Sequence, residues 1–188
     1  FLTGISVNGS KAGIAEADLT TGEFRVTEVE ERQLFGELRR NGPAEVLASR
    51  TWVSEHRQEF AREVPGVVLT PLEDWAFGQS AAREKLLEHY KVQSLKGFGA
   101  EHLTAAISAA GAVLGYLQDN QMSDLGHMRR LSVIERSRYL ILDETTQRNL
   151  ELFEPISGDR NACLIAVIDE TCTPLGGRLL RAWLARPL

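Results

Sequence analysis

An α/β sheet domain followed by an all-α segment is what this sequence of 188 residues predicts. Three observations predict it. Polar and apolar residues alternate through the first thirty positions, helix-spaced apolar residues then trade places with short apolar runs as far as Leu69, and beyond residue 126 the blocks read as a linker and helices.

The alternating runs are Leu2-Thr3-Gly4-Ile5-Ser6-Val7, residues 12–19, and Glu23-Phe24-Arg25-Val26-Thr27-Glu28-Val29. Asn8-Gly9 and Thr20-Thr21-Gly22 separate them, and both are turn signals because Asn and Gly tolerate positive φ. Three antiparallel strands in a meander are expected. From Glu30 the period changes: Leu34, Phe35 and Leu38 share a helical face, and Asn41-Gly42-Pro43 supplies the stop. Ala44-Glu45-Val46-Leu47-Ala48 then reads as a strand, residues 53–63 as a polar helix with Phe60 turned inward, and Gly66-Val67-Val68-Leu69 as another strand. Strands joined through helices lie parallel by right-handed crossovers, so the expectation is a mixed five-stranded sheet flanked by helices. Three antiparallel strands continued by parallel ones is the ribonuclease-H-like order.

A helical turn is expected over residues 72–77 and a helix over 80–90, where Leu86, Leu87 and Tyr90 share a face. After the break Gly97-Phe98-Gly99, residues 103–117 form a buried helix whose Gly111 and Gly115 would let it pack tightly on the sheet. The polar, glycine-ended stretch 119–126 marks the boundary between a compact domain, 1–125, and a second portion, 126–188. The link is expected to continue over 131–136 as an extended surface segment. Asp143 is placed to cap a helix over 144–153, Leu164-Ile165-Ala166-Val167-Ile168 is a further helix, and residues 174–184 form another with Thr173 as cap and Pro174 at its first position.

Formal net charge is −5, and no Lys/Arg block is dense enough to neutralise a run of phosphates, so little DNA affinity is expected of this piece alone. No apolar run approaches the roughly 18 residues that cross a bilayer. Cys163 and Cys172 read as two buried thiols in a cytoplasmic protein, and His56, His89, His102 and His127 are too scattered for a zinc site. The opening Phe1-Leu2-Thr3-Gly4 and the apolar, basic tail 183–188 read as the edges of a segment from a longer protein.

A nuclease on such a sheet would hold its metal ions with clustered carboxylates, beginning with an acid in the first strand. Residues 2–10 contain none. Glu16, Asp18, Glu23 and Glu28 are available on the next two strands, where alternation makes them ordinary solvent-facing charges. A metal-dependent nuclease using Asp18, Glu16 or Glu28 is therefore the alternative function. No Gly-x-Ser-x-Gly elbow occurs, and Gly97-Phe98-Gly99 lacks the glycine and lysine of a phosphate loop.

Two segments carry a specific resemblance. Asp143-Glu144-Thr145-Thr146-Gln147-Arg148-Asn149-Leu150-Glu151-Leu152, and the run from Asp169-Glu170-Thr171-Cys172-Thr173-Pro174 through Gly176, Arg178, Leu180 and Trp183-Leu184, resemble the opening of the core domain of the MutS family of bacterial DNA mismatch-repair proteins. Pro187 follows, as that pattern has it. Upstream, Asp18-Leu19-Thr20-Thr21-Gly22-Glu23-Phe24, Asn41-Gly42-Pro43-Ala44-Glu45-Val46-Leu47 and Leu95-Lys96-Gly97-Phe98-Gly99 are similar to the family's connector domain.

The resemblance implies a ribonuclease-H-like connector without nuclease activity, joined to the first helices of the core, and no cofactor in this piece. ATP and Mg²⁺ would belong to the ATPase of a parent that is a homodimer and grips mismatched DNA through other domains. It further implies a connector that moves on ATP binding and presents a surface to the partner protein MutL. Part of that surface aligns with Ala82-Arg83-Glu84-Lys85-Leu86, which points to Glu84 and Lys85 as partner-binding residues. Relatives with two glutamines at those positions differ from this chain.

Overall fold

Alternation and turn glycines do build the expected meander. In a computed structural model describing residues 1–120, 125–128, 130–134, 140, 142, 144–156, 162–185 and 187, strands β1 (Leu2–Asn8), β2 (Lys11–Asp18) and β3 (Glu23–Glu30) pair antiparallel. Gly9 and Gly22 turn the chain at positive φ, +59° and +73°. Helix α1 (Leu34–Asn41) ends at Gly42, whose left-handed backbone returns its N–H to the Leu38 carbonyl at 3.0 Å. β4 (Glu45–Ser49) pairs parallel with β1, and α2 (Arg50–Glu63) begins where the Ser49 hydroxyl accepts the Trp52 N–H. β5 (Val68–Leu72) pairs parallel with β4, starting later than its apolar run and extending through Pro71. A proline without a donor is tolerated there because β5 is an edge strand.

Among the described residues the sheet has six strands rather than five, in the order β5-β4-β1-β2-β3-β6. β6 (Arg130–Val133) comes from the segment expected to be a surface link. It pairs parallel with β3, setting Leu131 opposite Phe24 and Val133 opposite Val26. Leu131 is buried, and the Ile134 N–H donates to the Val26 carbonyl at 2.9 Å. Burial of Leu131 against the β3 edge is what draws this short run into the sheet.

Helices cover both faces. α1 and α2 bury Leu34, Leu38, Trp52, Val53 and Phe60 against Ile5, Ile14, Val29 and Val46. On the other face α3 (Gln79–Tyr90) and α4 (Thr104–Asn120) bury Ala82, Leu86, Val113 and Leu114 with Leu2, Ala15, Phe24, Val26 and Leu47. The close approach of α4 to the sheet is made by strand glycines. A methyl at Gly4 would strike Val113, and one at Gly13 would overlap the Ala105 backbone. Gly111 and Gly115 turn instead towards α3, against Ala82 and Lys85, so their spacing serves helix–helix packing and not the sheet contact expected of them.

Chain contacts divide the molecule into two units, Phe1–Ile134 and Glu135–Leu188. In the second lie α5 (Glu144–Asn149), α6 (Leu164–Ile168) and α7 (Pro174–Ala185). α5 stops short of residue 153 because Glu151 takes a left-handed conformation, φ 48°, and the Leu152 N–H closes on the Gln147 carbonyl at 3.1 Å. Asp143, its expected cap, lies outside the described residues, as do 121–124 of the expected boundary stretch. Thr173 does cap α7, its hydroxyl accepting the Gly176 N–H at 3.1 Å. Cys163 is buried but Cys172 is exposed, so one thiol of the pair departs from expectation.

Candidate functional site

The segment carrying Glu84 and Lys85 is set up by the end of β5. A 3-10 turn over Asp74–Phe77 follows the strand and is tied to the head of α2: the Asp74 carboxylate accepts the Thr51 N–H at 3.1 Å and the Thr51 hydroxyl at 2.5 Å. Those bonds from Thr51 hold the Asp74 carboxyl below its ordinary value. The turn closes through Ala76 N–H to Glu73 O and Gly78 N–H to Trp75 O, and α3 opens directly behind it. It leaves Trp75 74% exposed. Nothing in the local pattern distinguished that indole from an inward-facing one.

Within α3 the helical period sorts the side chains. Ala82 and Leu86 face the core, whereas Ala81, Glu84 and Glu88, three and four residues apart, are exposed along one outward stripe. Arg83 is committed sideways, bonding the Glu101 carboxylate at 2.5 Å; Glu101 also accepts the Leu95 N–H at 3.1 Å and the Ser94 hydroxyl at 3.3 Å. This cradle, Arg83 foremost, holds Glu101 below its ordinary value. Lys85 is half-buried, its ammonium lying over Gly115 of α4. The two residues expected from the sequence to bind a partner are therefore unlike: Glu84 is exposed, while Lys85 lies along a neighbouring helix.

The acids considered for metal chemistry are not gathered. Glu28 faces α4 and accepts the amide hydrogens of Ala105 at 3.1 Å and Ala106 at 3.5 Å, capping that helix. Glu16 and Asp18, two and four residues on from Ile14 along β2, belong to the opposite face of the sheet. Both are buried, contrary to the solvent-facing expectation. Asp18 accepts the Thr20 N–H at 2.9 Å and its hydroxyl at 2.5 Å, closing the β2–β3 turn. Glu16 stands in register between Thr3 and Arg25 on the flanking strands, and Arg25 lies 5.1 Å over the Phe1 ring and pairs with Glu23 at 3.3 Å. Among the described residues no three His, Cys, Asp or Glu side chains are grouped to hold a metal.

In the second unit a cleft of about 300 Å³ lies between α6 and α7, lined by Ile165, Asp169, Pro174, Gly177, Arg178 and Arg181. Asp169 is occupied with Thr171, accepting its N–H at 3.0 Å and its hydroxyl at 2.6 Å, which keeps its carboxyl below the ordinary value. Arg181 lies 5.0 Å over the Phe153 ring. Leu175, Leu179 and Trp183 of α7 are exposed.

The described residues define a mixed α/β unit followed by a short helical unit. Comparison with known proteins identifies the family. MutS domain II matches residues 1–129 and MutS domain III matches residues 145–188. The chain is 40% identical, over its whole length, to 22% of the DNA mismatch repair protein MutS of Protochlamydia amoebophila. It is 42% identical over 95% of its length to 20% of the MutS of Salinibacter ruber, and 38% identical over its whole length to 21% of that of Thermodesulfovibrio yellowstonii. This chain belongs to the MutS family, and it spans about a fifth of the length of the curated relatives it matches. Neither matched domain is the family's ATPase domain. No described helix is long and apolar enough to cross a membrane.

Proposed function

We propose that this chain is the non-catalytic connector and core portion of a mismatch-recognition ATPase, relaying ATP-dependent movement between mismatch-binding and ATPase domains and offering a docking surface to MutL. The observation that carries the reading is the match of MutS domains II and III along the chain, joined to a sheet in which Glu28 caps α4 and Asp18 closes the β2–β3 turn. The order β5-β4-β1-β2-β3, with three antiparallel strands continued by parallel ones, supports the ribonuclease-H-like description; β6 is an addition at its edge.

A relay needs a unit that moves as a body. Two cores on opposite faces of one sheet, with α4 docked on strand glycines, provide that stiffness. In the cytoplasmic, homodimeric parent, ATP, Mg²⁺ and mismatched DNA would engage other domains. Docking is assigned to the Glu84 and Lys85 segment, and the exposure of Glu84 supports it.

The test is a titration of the labelled 188-residue chain with the amino-terminal domain of MutL from the same organism. Weak binding is expected, since the ATP-driven presentation of the surface is missing. Glu84→Lys should weaken it more than Lys85→Glu, because Lys85 lies along α4. Binding indifferent to both substitutions would remove this segment from the interface.

A further inference from the structure

We infer that residues 125–134 anchor the outgoing chain to the sheet unit, with His89 of α3 and Thr27 of β3 as the positioning residues, so that movement arriving along the chain is delivered to α3 and the β3 edge. The inference rests on the relay reading above and names the place where the relay enters the sheet unit.

A connecting stretch that only spans a gap runs over the surface and needs no buried side chain. The family matches end at residue 129 and resume at residue 145, so β6 falls between them. Yet Leu125, Met128 and Leu131 are 4%, 1% and 2% exposed and join the core shared by α3, α4 and the sheet. Val133 packs on the same core and lies beside Gly99. Apolar burial at every third residue, through a 3-10 turn (Leu125–His127) and into a strand, fastens the stretch at three successive points.

Side chains from other elements also grip the backbone at both ends of β6. Before the strand, the Met128 N–H donates to the Leu125 carbonyl at 2.9 Å, and the Met128 carbonyl accepts from Nε2 of His89 at 3.1 Å. A carbonyl only accepts, so Nε2 carries the hydrogen of that bond. After the strand, the Ile134 N–H donates to the Val26 carbonyl at 2.9 Å, while the Ile134 carbonyl accepts the Thr27 hydroxyl at 3.3 Å. Thr27 is buried, which keeps water from competing for that bond. A four-residue strand paired on one side only is where a sheet opens first. Among the described residues β6 has just that pairing, with β3, and the two grips offset the weakness. His89 lies in the last turn of α3 and Thr27 within β3, so the hold is spread over two elements already packed into the sheet unit.

Amide hydrogen exchange on the 188-residue chain tests the anchorage. The Ile134 amide should exchange slowly in wild type. His89→Ala and Thr27→Val should each speed it about tenfold, as loss of one hydrogen bond to a backbone carbonyl predicts, with the circular dichroism spectrum and the slow amides of β4 unchanged. His89→Gln, which keeps a side-chain donor, should restore most of the protection. Free exchange at Ile134 in wild type, or exchange unaltered by both His89→Ala and Thr27→Val, would overturn the anchorage. In the full-length parent, the ATP-driven change in energy transfer between a dye on the β2–β3 turn and one on α7 should be diminished several-fold by His89→Ala. It should return when a Glu23→Cys/Arg130→Cys pair, opposite one another in register, is oxidised to staple β6 to β3. A staple that abolishes the change in the otherwise wild-type parent would show that β6 must open, and would overturn the anchorage as well. Absence of any ATP-driven change in the wild-type parent would overturn the relay reading, and with it the delivery of movement, while slow exchange at Ile134 would still establish the grip itself.

Discussion

Gly13 shows how a single missing side chain decides where a helix lies. Strand β2 passes so close beneath the start of α4 that a methyl group there would overlap the Ala105 backbone, which cannot rotate away as a flexible side chain could. Gly13→Ala should therefore destabilise the sheet unit by about 2–3 kcal/mol, the upper part of the overpacking range, measured as a drop in the urea midpoint with unchanged slope. Gly36, with open space around its Cβ position, is the control and should tolerate alanine. The sequence offered no way to tell these two apart. It did make turn glycines legible, since Gly9, Gly22 and Gly42 stand between runs of different period, but close approach depends on which element arrives from a distance. Glu28 and Asp18 had the same ambiguity: alternation identifies the strand they lie on, and only the position of α4 and of Thr20 reveals that one caps a helix and the other closes a turn.

Elements with strong local signals were readable: five strands and the helices between them follow from period and punctuation. β6 was not readable, because a four-residue strand at a parallel edge owes its conformation to Phe24 and Val26, more than a hundred residues earlier. The face of α3 was half legible, for the period places Glu84 outward but cannot show Lys85 lying over Gly115. Between α3 and the 3-10 turn Leu95–Phe98, the Arg83–Glu101 clasp makes a prediction at this scale. Glu101 titrates below its ordinary value in the folded chain, so the folded state favours its charged form. Its contribution to stability is accordingly present above the ordinary carboxylate range and is lost as pH falls through the lowered folded value. Glu101→Gln should flatten the acid limb of the melting temperature against pH while leaving the slope above pH ~6 unaltered. An acid limb identical to wild type would show that the clasp carries no such linkage. Because both partners are about one-third exposed, the effect is expected to be small.

At the scale of the whole molecule, the division into Phe1–Ile134 and Glu135–Leu188 separates portions of different self-sufficiency. The first has two cores, a continuous sheet and helices on both faces. The second shows short helices, a shallow cleft and an α7 whose Leu175, Leu179 and Trp183 stand open to solvent. A chain ending after Ile134 should fold cooperatively on its own, since it retains β6 and the hydrogen bond from Ile134 to Val26. Ending it at residue 125, the boundary suggested by composition, removes that strand and exposes Phe24 and Val26 at the β3 edge, and should lower stability and invite association through the open edge. The full chain adds the apolar stripe of α7, so it should self-associate more than the form ending at Ile134, and Leu179→Glu should reverse the difference. Light scattering across a concentration series distinguishes these outcomes: equal mass for the full chain and the Ile134 form would show that the α7 stripe drives no association, and equal stability of the two shortened forms would show that β6 is dispensable to the sheet.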